Sequence, residues 1–408
     1  NVSFRSVPKI LSAFQKLFLL SGYPLEWKIP HFTTVIRWNL RFGYSALKQT
    51  LSTWSQQWIC IIDHTVQVGC KKALVILRVP LENLQGYGAL SFQEVEVLYI
   101  QVQEKCNGAI MSDILGPLFA QVGYPLQVVM DGGPDINKGI KDLLAKLNIS
   151  IKVTYDVTHL MAKLLKKKYA KHPVFLDLLS KMAQTKNKIL QTSLAYLAPL
   201  KERVKSRFLN LPTIAQWSAQ IIEYLTSLSS DAEQSIAQKN KIIEQFSWLF
   251  EFNPFLNEFW KEVQILAEIQ KCLKNVELCE MTYHRVQSLI HQIDDLMIRE
   301  PLETYLEEEF QFAQSVNHRT LLTSDIIESL FGKYKYIAKA HCMSEINRMI
   351  FILPALCQPV TLEQVKQAFA HTSNQELQKE IQKQIPSTLL STRRKQLGKT
   401  ASKNKNLA

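Results

Sequence analysis

Short apolar runs rich in β-branched residues fall at 58–62, 73–79, 95–102, 126–130 and 149–155. Between them, 108–122 and 135–147 repeat their apolar residues at helical spacing. Three strands, a helix, a strand, a helix and a strand predict an α/β mixed sheet, with an antiparallel meander first and parallel additions later. One run is punctuated sharply: Val128, Val129 and Met130 end in Asp131, Gly132, Gly133 and Pro134. This is the pattern of a buried strand whose last side chain is a carboxylate, followed by a tight turn into a new helix. Asp135 then falls in the first helical turn, where the helix dipole favours negative charge. The first run, 58–62, leads in the same way to Asp63 and His64.

The flanks of this region are helical in period. Residues 1–52 form a small unit whose first helix carries Ile10, Leu11, Phe14, Leu17 and Phe18. Ser21, Gly22, Tyr23 and Pro24 break it, and a second helix over 31–42 is closed by Gly43 at its C′ position. Val35, Trp38 and Phe42 are expected on one face of that helix, with Thr33, Arg37 and Arg41 turned elsewhere. A short helix, a break and a second helix with exposed Thr and Arg resemble a helix-turn-helix that reads DNA. The sheet region spans 53–160. From 161 to 318 the chain reads as all-helical, with no glycine between 140 and 331. Its Trp217, Trp248 and Trp260 are expected in the core, and its five glutamates over 300–309 on a solvated face. Residues 319–357 return to the first region with a late helix. Residues 358–408 form a helical and basic C-terminal segment, in which Arg393, Arg394, Lys395 and Lys399 suggest a disordered tail.

Composition narrows the partners. A net charge of +12 over 408 residues favours a polyanion. No apolar run reaches the roughly 20 residues of a membrane helix. The seven cysteines are odd in number and include no C-x-x-C pair, so structural zinc is not expected and a reducing, intracellular (cytoplasmic) compartment fits. The first residue is Asn, and the natural N-terminus is expected upstream of it.

Asp63 and Asp131 on strand ends, and Glu328 on the late helix, are hard oxygen ligands suited to Mg²⁺ or Mn²⁺. Two such ions promote in-line displacement at phosphorus. Sequence spacing cannot show that the three carboxylates converge. The pieces around them, Ile61-Ile62-Asp63-His64-Thr65, Val129-Met130-Asp131-Gly132-Gly133 and Ile326-Ile327-Glu328-Ser329-Leu330-Phe331-Gly332-Lys333, resemble those of DDE transposases of the bacterial insertion-sequence kind. The resemblance covers about residues 30–350. It implies an RNase H-like core interrupted by a large helical insertion, a pair of divalent ions, transposon-end and target DNA as partners, and a homo-oligomer. It also implies accessory roles for Asp156 and His159, which match a Cys/Asp-x-x-His element, and for Lys335, seven residues after Glu328. The related Tyr-x2-Arg-x3-Glu-x6-Lys signature departs at Ser324, where it carries Arg, and Arg319 and His318 stand at the wrong spacing.

Other readings stay open at this level. Asp325 and Glu345 compete with Glu328 for the third position. Asp156 and His159 fit a local structural hydrogen bond as well as an accessory role, and His64 reads as a neighbour of Asp63, not a ligand. Lys166 and Lys167 follow a DNA backbone or form a solvated face. The alternatives to a transposase are an RNase H-like nuclease without strand transfer and a non-catalytic, transposase-derived DNA-binding protein.

Overall fold

The computed structural model describes residues 3–23, 27–53, 57–84, 88–199, 211–228, 235–275, 277–338 and 345–405; Pro24 of the expected break lies outside them. The chain divides into two compact units, one of residues 1–154 with 324–408 and the other of residues 155–323.

The first unit opens with helices α1 (Val7–Leu20) and α2 (Phe32–Ser52). Strands β1 (Trp58–Val66), β2 (Lys72–Pro80) and β3 (Glu96–Gln103) follow, then helix α3 (Gly108–Val122), β4 (Gln127–Met130), helix α4 (Pro134–Leu147) and β5 (Lys152–Tyr155). The sheet order is β3-β2-β1-β4-β5. β1 pairs antiparallel with β2 and parallel with β4, and β2 pairs antiparallel with β3. A meander extended by a parallel strand next to β1 is what the strand pattern predicts, and the order is that of the RNase H-like sheet the resemblance implies. Alternation explains how the sheet is covered. Trp58, Cys60 and Ile62 of β1 and Val128 and Met130 of β4 join one core cluster with Met111, Leu115 and Phe119 of α3 and Ile136, Ile140 and Leu143 of α4. Local signals fix the helices: Asn107 caps α3 by accepting from Ile110 N at 3.0 Å, and Pro134 opens α4, which ends at Asn148 in the left-handed region. Buried Gln127 donates to Thr154 Oγ1 at 2.7 Å, so that two polar side chains within the sheet satisfy each other.

Among its described residues the second unit is all-helical: α5 (Val157–Tyr169), α6 (Pro173–Ile189), α7 (Leu211–Ser227), α8 (Ile236–Phe246), α9 (Asn253–Asn275), α10 (Glu280–Ile290) and α11 (Leu296–Ser315). Its core holds Tyr169, Phe175, Trp217, Phe246 and Phe259, and Trp248 and Trp260 pack against it. All three tryptophans are therefore packing groups. The glutamate run is not wholly solvated, because Glu309 is buried on α11. Position on the helix decides this: Glu309 follows Leu302, Tyr305 and Leu306 on the inward stripe.

The chain then completes the first unit with α12 (Asp325–Ala338), α13 (Leu353–Leu356), α14 (Leu362–His371), α15 (Asn374–Gln384) and α16 (Leu389–Lys405). Two sequence expectations are corrected here. Gly43 does not end its helix, since α2 runs on to Ser52. A Cβ at residue 43 would lie 2.1 Å from the Phe351 carbonyl oxygen, so this glycine permits close packing and does not act as a stop. The basic tail is helical as α16, whose first residue is held through a hydrogen bond from Leu389 N to Glu345.

Candidate active site

The parallel register of β1 and β4 pairs Ile59 with Gln127, Cys60 with Val128, Ile61 with Val129 and Ile62 with Met130. Asp63 and Asp131 are the next residues in step, so they emerge side by side from adjacent strands, which run about 4.8 Å apart. Both are half-buried. Asp63 Oδ1 accepts from His64 N at 2.6 Å, and Asp131 Oδ1 accepts from Gly133 N at 2.8 Å. The two glycines have separate tasks. Gly132 takes φ 79°, a region costly for other residues. A Cβ on Gly133 would stand 3.3 Å from Asp131 Oδ1 and 3.2 Å from Asp135 Oδ1, so its absence leaves room for both carboxylates.

Glu328 lies in the first turn of α12, which packs on β1, and its side chain is exposed. Asp325, one turn earlier, is half-buried. The oxygens of Asp63, Asp131 and Glu328 do not all come within 4.8 Å of one another. A site for two ions about 4 Å apart spreads its ligands beyond that limit. Glu345 stands apart from the other candidates: it is buried, 3.4 Å from Lys71 Nζ, and occupied by Leu389 N. A neutralised, hydrogen-bonded carboxylate of this kind holds structure together. Lys71 and Glu345 are 274 positions apart, and no local pattern in the sequence pairs them.

The accessory residues are placed as follows. Asp156 is buried and caps α5, accepting from His159 N at 3.0 Å and from Thr323 Oγ1 at 3.2 Å. That is the local structural bond anticipated as one alternative; His159 itself is half-buried in the first turn of α5. Lys335 is exposed on α12. Lys166 and Lys167 are exposed on α5, whereas the next lysine, Lys168, bridges Glu262 of α9 and Asp295.

On α2, Thr33 and Arg37 are exposed, and Thr33 Oγ1 lies 2.9 Å from the capping His31 Nδ1. Arg41 is different. Its guanidinium donates to the Thr372 and Phe369 carbonyls and lies 4.7 Å over the Phe369 ring. It is therefore spent on closing the C-terminus of α14. Trp38 is exposed and does not share the buried face of Val35 and Phe42.

On the α3/α4 side of the sheet, three further groups gather. Asp135 Oδ2 is 3.8 Å from both His64 Nδ1 and Lys72 Nζ. Burial holds the His64 imidazole below its ordinary pKa, and the Lys72 charge adds to this while Asp135 and Asp131 oppose it. Burial alone would raise Asp135, but His64, the Cys106 thiol, the Ile136 N–H and Lys72 outweigh it and hold the carboxyl low. No local pattern announces this group, because its members come from three separate segments.

No protein-family model and no curated protein matches the sequence. Among solved structures, the chain is similar to one in a Drosophila P element transposase strand transfer complex, with a TM-score of 0.40 and 11% identity over 89% of this chain and 92% of that one.

Proposed function

We propose that this chain is a DDE-type transposase, a metal-dependent polynucleotidyl transferase acting on double-stranded DNA. The observation that carries the reading is the register of β1 and β4, which sets Asp63 and Asp131 side by side at the end of an RNase H-like sheet. The donor set fits the ions the reading requires, since carboxylate oxygens on rigid strand ends match the hard-ligand preference of Mg²⁺ and Mn²⁺. Asp63, Asp131 and Glu328 would hold them, and the ions would supply Lewis-acid activation of the attacking oxygen and stabilisation of the leaving oxygen.

The protein's own work is placement. Strands β1 and β4 carry the two aspartates, and α12, which packs on β1, carries Glu328 in its first turn with the side chain exposed. Lys335, nearly two turns further along α12, would orient a phosphate near the cut. The reaction proceeds in two in-line steps. Water attacks a phosphodiester at the element's end and releases a 3′-hydroxyl, which then attacks a phosphodiester of target DNA. Exposed Arg37, Lys166 and Lys167 would meet DNA phosphates, in keeping with the net charge of +12. Affinity with the insertion-sequence kind rests on the residues around Asp63, Asp131 and Glu328, and pairing of two DNA ends calls for an oligomer.

The test is cutting and joining of DNA that carries the sequences flanking the gene, with Mn²⁺ and the full chain. Expected are 3′-hydroxyl ends joined to a second duplex, with both activities lost in Asp131→Asn. Cutting without joining would select a nuclease on the same fold. DNA binding with no cutting, unchanged by Asp131→Asn, would leave a non-catalytic DNA-binding protein.

A further inference from the structure

His64, Cys106 and Asp135 come from the end of β1, the loop before α3 and the first turn of α4. One ring nitrogen, the thiol sulfur and one carboxylate oxygen lie within 4.8 Å of one another, a grouping of His, Cys, Asp or Glu unique among the described residues. The His64 side chain is 9% exposed and that of Asp135 15%. The ring nitrogen that faces the carboxylate is Nδ1, 3.8 Å from Asp135 Oδ2.

We propose that His64, Cys106 and Asp135 form a Zn²⁺ site, with a water molecule as fourth ligand. Zinc bonds run about 2.0–2.1 Å to nitrogen, 2.3 Å to sulfur and 2.0–2.2 Å to oxygen, so tetrahedral ligands stand roughly 3.3–3.8 Å apart. The His64–Asp135 separation of 3.8 Å already meets that spacing. The 4.8 Å limit on the whole group leaves about an ångström of side-chain rotation to close it. The donor set decides the metal: imidazole and thiolate favour Zn²⁺ over Mg²⁺, the reverse of the preference at the strand-end carboxylates. Thiolate and carboxylate together balance the charge of the ion. Lys72, the competing cation at Asp135, has a side chain 42% exposed and can turn to solvent.

On binding, the Cys106 S–H bond breaks, its proton goes to solvent, and the sulfur lone pair forms the Zn–S bond. Before binding, this thiol hydrogen-bonds Asp135, and burial and that contact push it up to about 11. Each ion taken up near neutral pH therefore releases about one proton. The site would tie the residue after Asp63 to the helix that follows Asp131. It is a positioning site and takes no part in the chemistry. The C-x-x-C rule overlooks it because no two of its ligands are close in sequence.

The test titrates the metal-free full chain with Co²⁺ and follows the thiolate-to-cobalt charge-transfer absorption. Expected is saturation at one cobalt per chain, displacement by Zn²⁺, no displacement by excess Mg²⁺, and release of about one proton per ion. The absorption should vanish in Cys106→Ser and survive in Cys70→Ser, Cys279→Ser and Asp131→Asn. His64→Gln, a polar replacement, should weaken binding at least tenfold with unchanged circular dichroism, and it keeps the test valid if Cys106→Ser does not fold. No charge-transfer band, a band that survives Cys106→Ser, or unchanged affinity in His64→Gln would overturn the site and leave a hydrogen-bonded triad. Retention of the site in Asp131→Asn keeps this result separate from any failure of the transposase reading.

Discussion

At Glu345 a buried carboxylate in the sheet-bearing unit faces the Lys71 ammonium at 3.4 Å and is further held by Leu389 N. At the ends of β1 and β4, by contrast, two carboxylates stand beside each other on neighbouring strands. The first arrangement is what folding stability selects, because a buried charge left without a partner is severely destabilising. The second works against stability, since adjacent like charges repel. The same contrast holds in the helical unit, where Lys168 bridges Glu262 and Asp295, and Asp156 caps a helix. Charge placed against the interest of the fold is thus the better mark of a site than charge as such.

Four changes would break or sharpen this contrast. Lys71→Met, which strands Glu345 in the interior, should cost about 3–5 kcal/mol in denaturant unfolding. A cost under about 1 kcal/mol would mean that water reaches Glu345. Gly43→Ala drives a methyl group against the Phe351 carbonyl and should cost about 1–3 kcal/mol by the same measurement. Asp156→Ala should cost about 1–2 kcal/mol through loss of the α5 cap, seen as faster amide exchange in α5 and unchanged exchange in β1. Asp63→Asn or Asp131→Asn should leave stability within about 1 kcal/mol of the parent, or raise it, while lowering Mn²⁺-dependent cutting at least about 100-fold, or ~2.7 kcal/mol in the barrier. A large loss of stability in either variant would return the two aspartates to a structural role.

A smaller effect concerns pH. Glu376 accepts from Ser373 N and pairs with Lys48 at 3.0 Å, the backbone bond first and the lysine second in holding its carboxyl below the usual range. Its contribution is present above the ordinary glutamate pKa and is lost as pH falls through the lowered one. Amide exchange at the start of α15 should therefore quicken in acid while α14, capped by the neutral Thr361 and Gln364, holds. Equal response of both helices would dismiss the cap as the cause.

The sheet was legible because its signals are local. Periodicity located the five strands and the helical spans 108–122 and 135–147, which are α3 and α4 within a residue, and Pro134 opens α4 as the punctuation predicts. What the sequence could not show was pairing at a distance. Asp63 and Asp131 become neighbours through a parallel register, and Lys71 meets Glu345 across most of the chain. Arg41 looked like a surface arginine because nothing near it in sequence announces that α14 will end against it. Gly43 looked like a helix stop because a glycine needed for close approach and one needed for a turn are written with the same letter. Glu309 joined a solvated run in the sequence, although its place on the inward stripe of α11 was there to be counted.

The pairing of Ile62 with Met130 has a further consequence. Successive side chains on a strand alternate between faces, so a slip of one residue between β1 and β4 would throw one aspartate to the other side of the sheet. The segments that join the two strands can lengthen or shorten without moving either carboxylate, provided the register holds. In heredity's terms, insertions between these strands are tolerated at the loops, whereas a single residue gained or lost inside either strand parts the two aspartates.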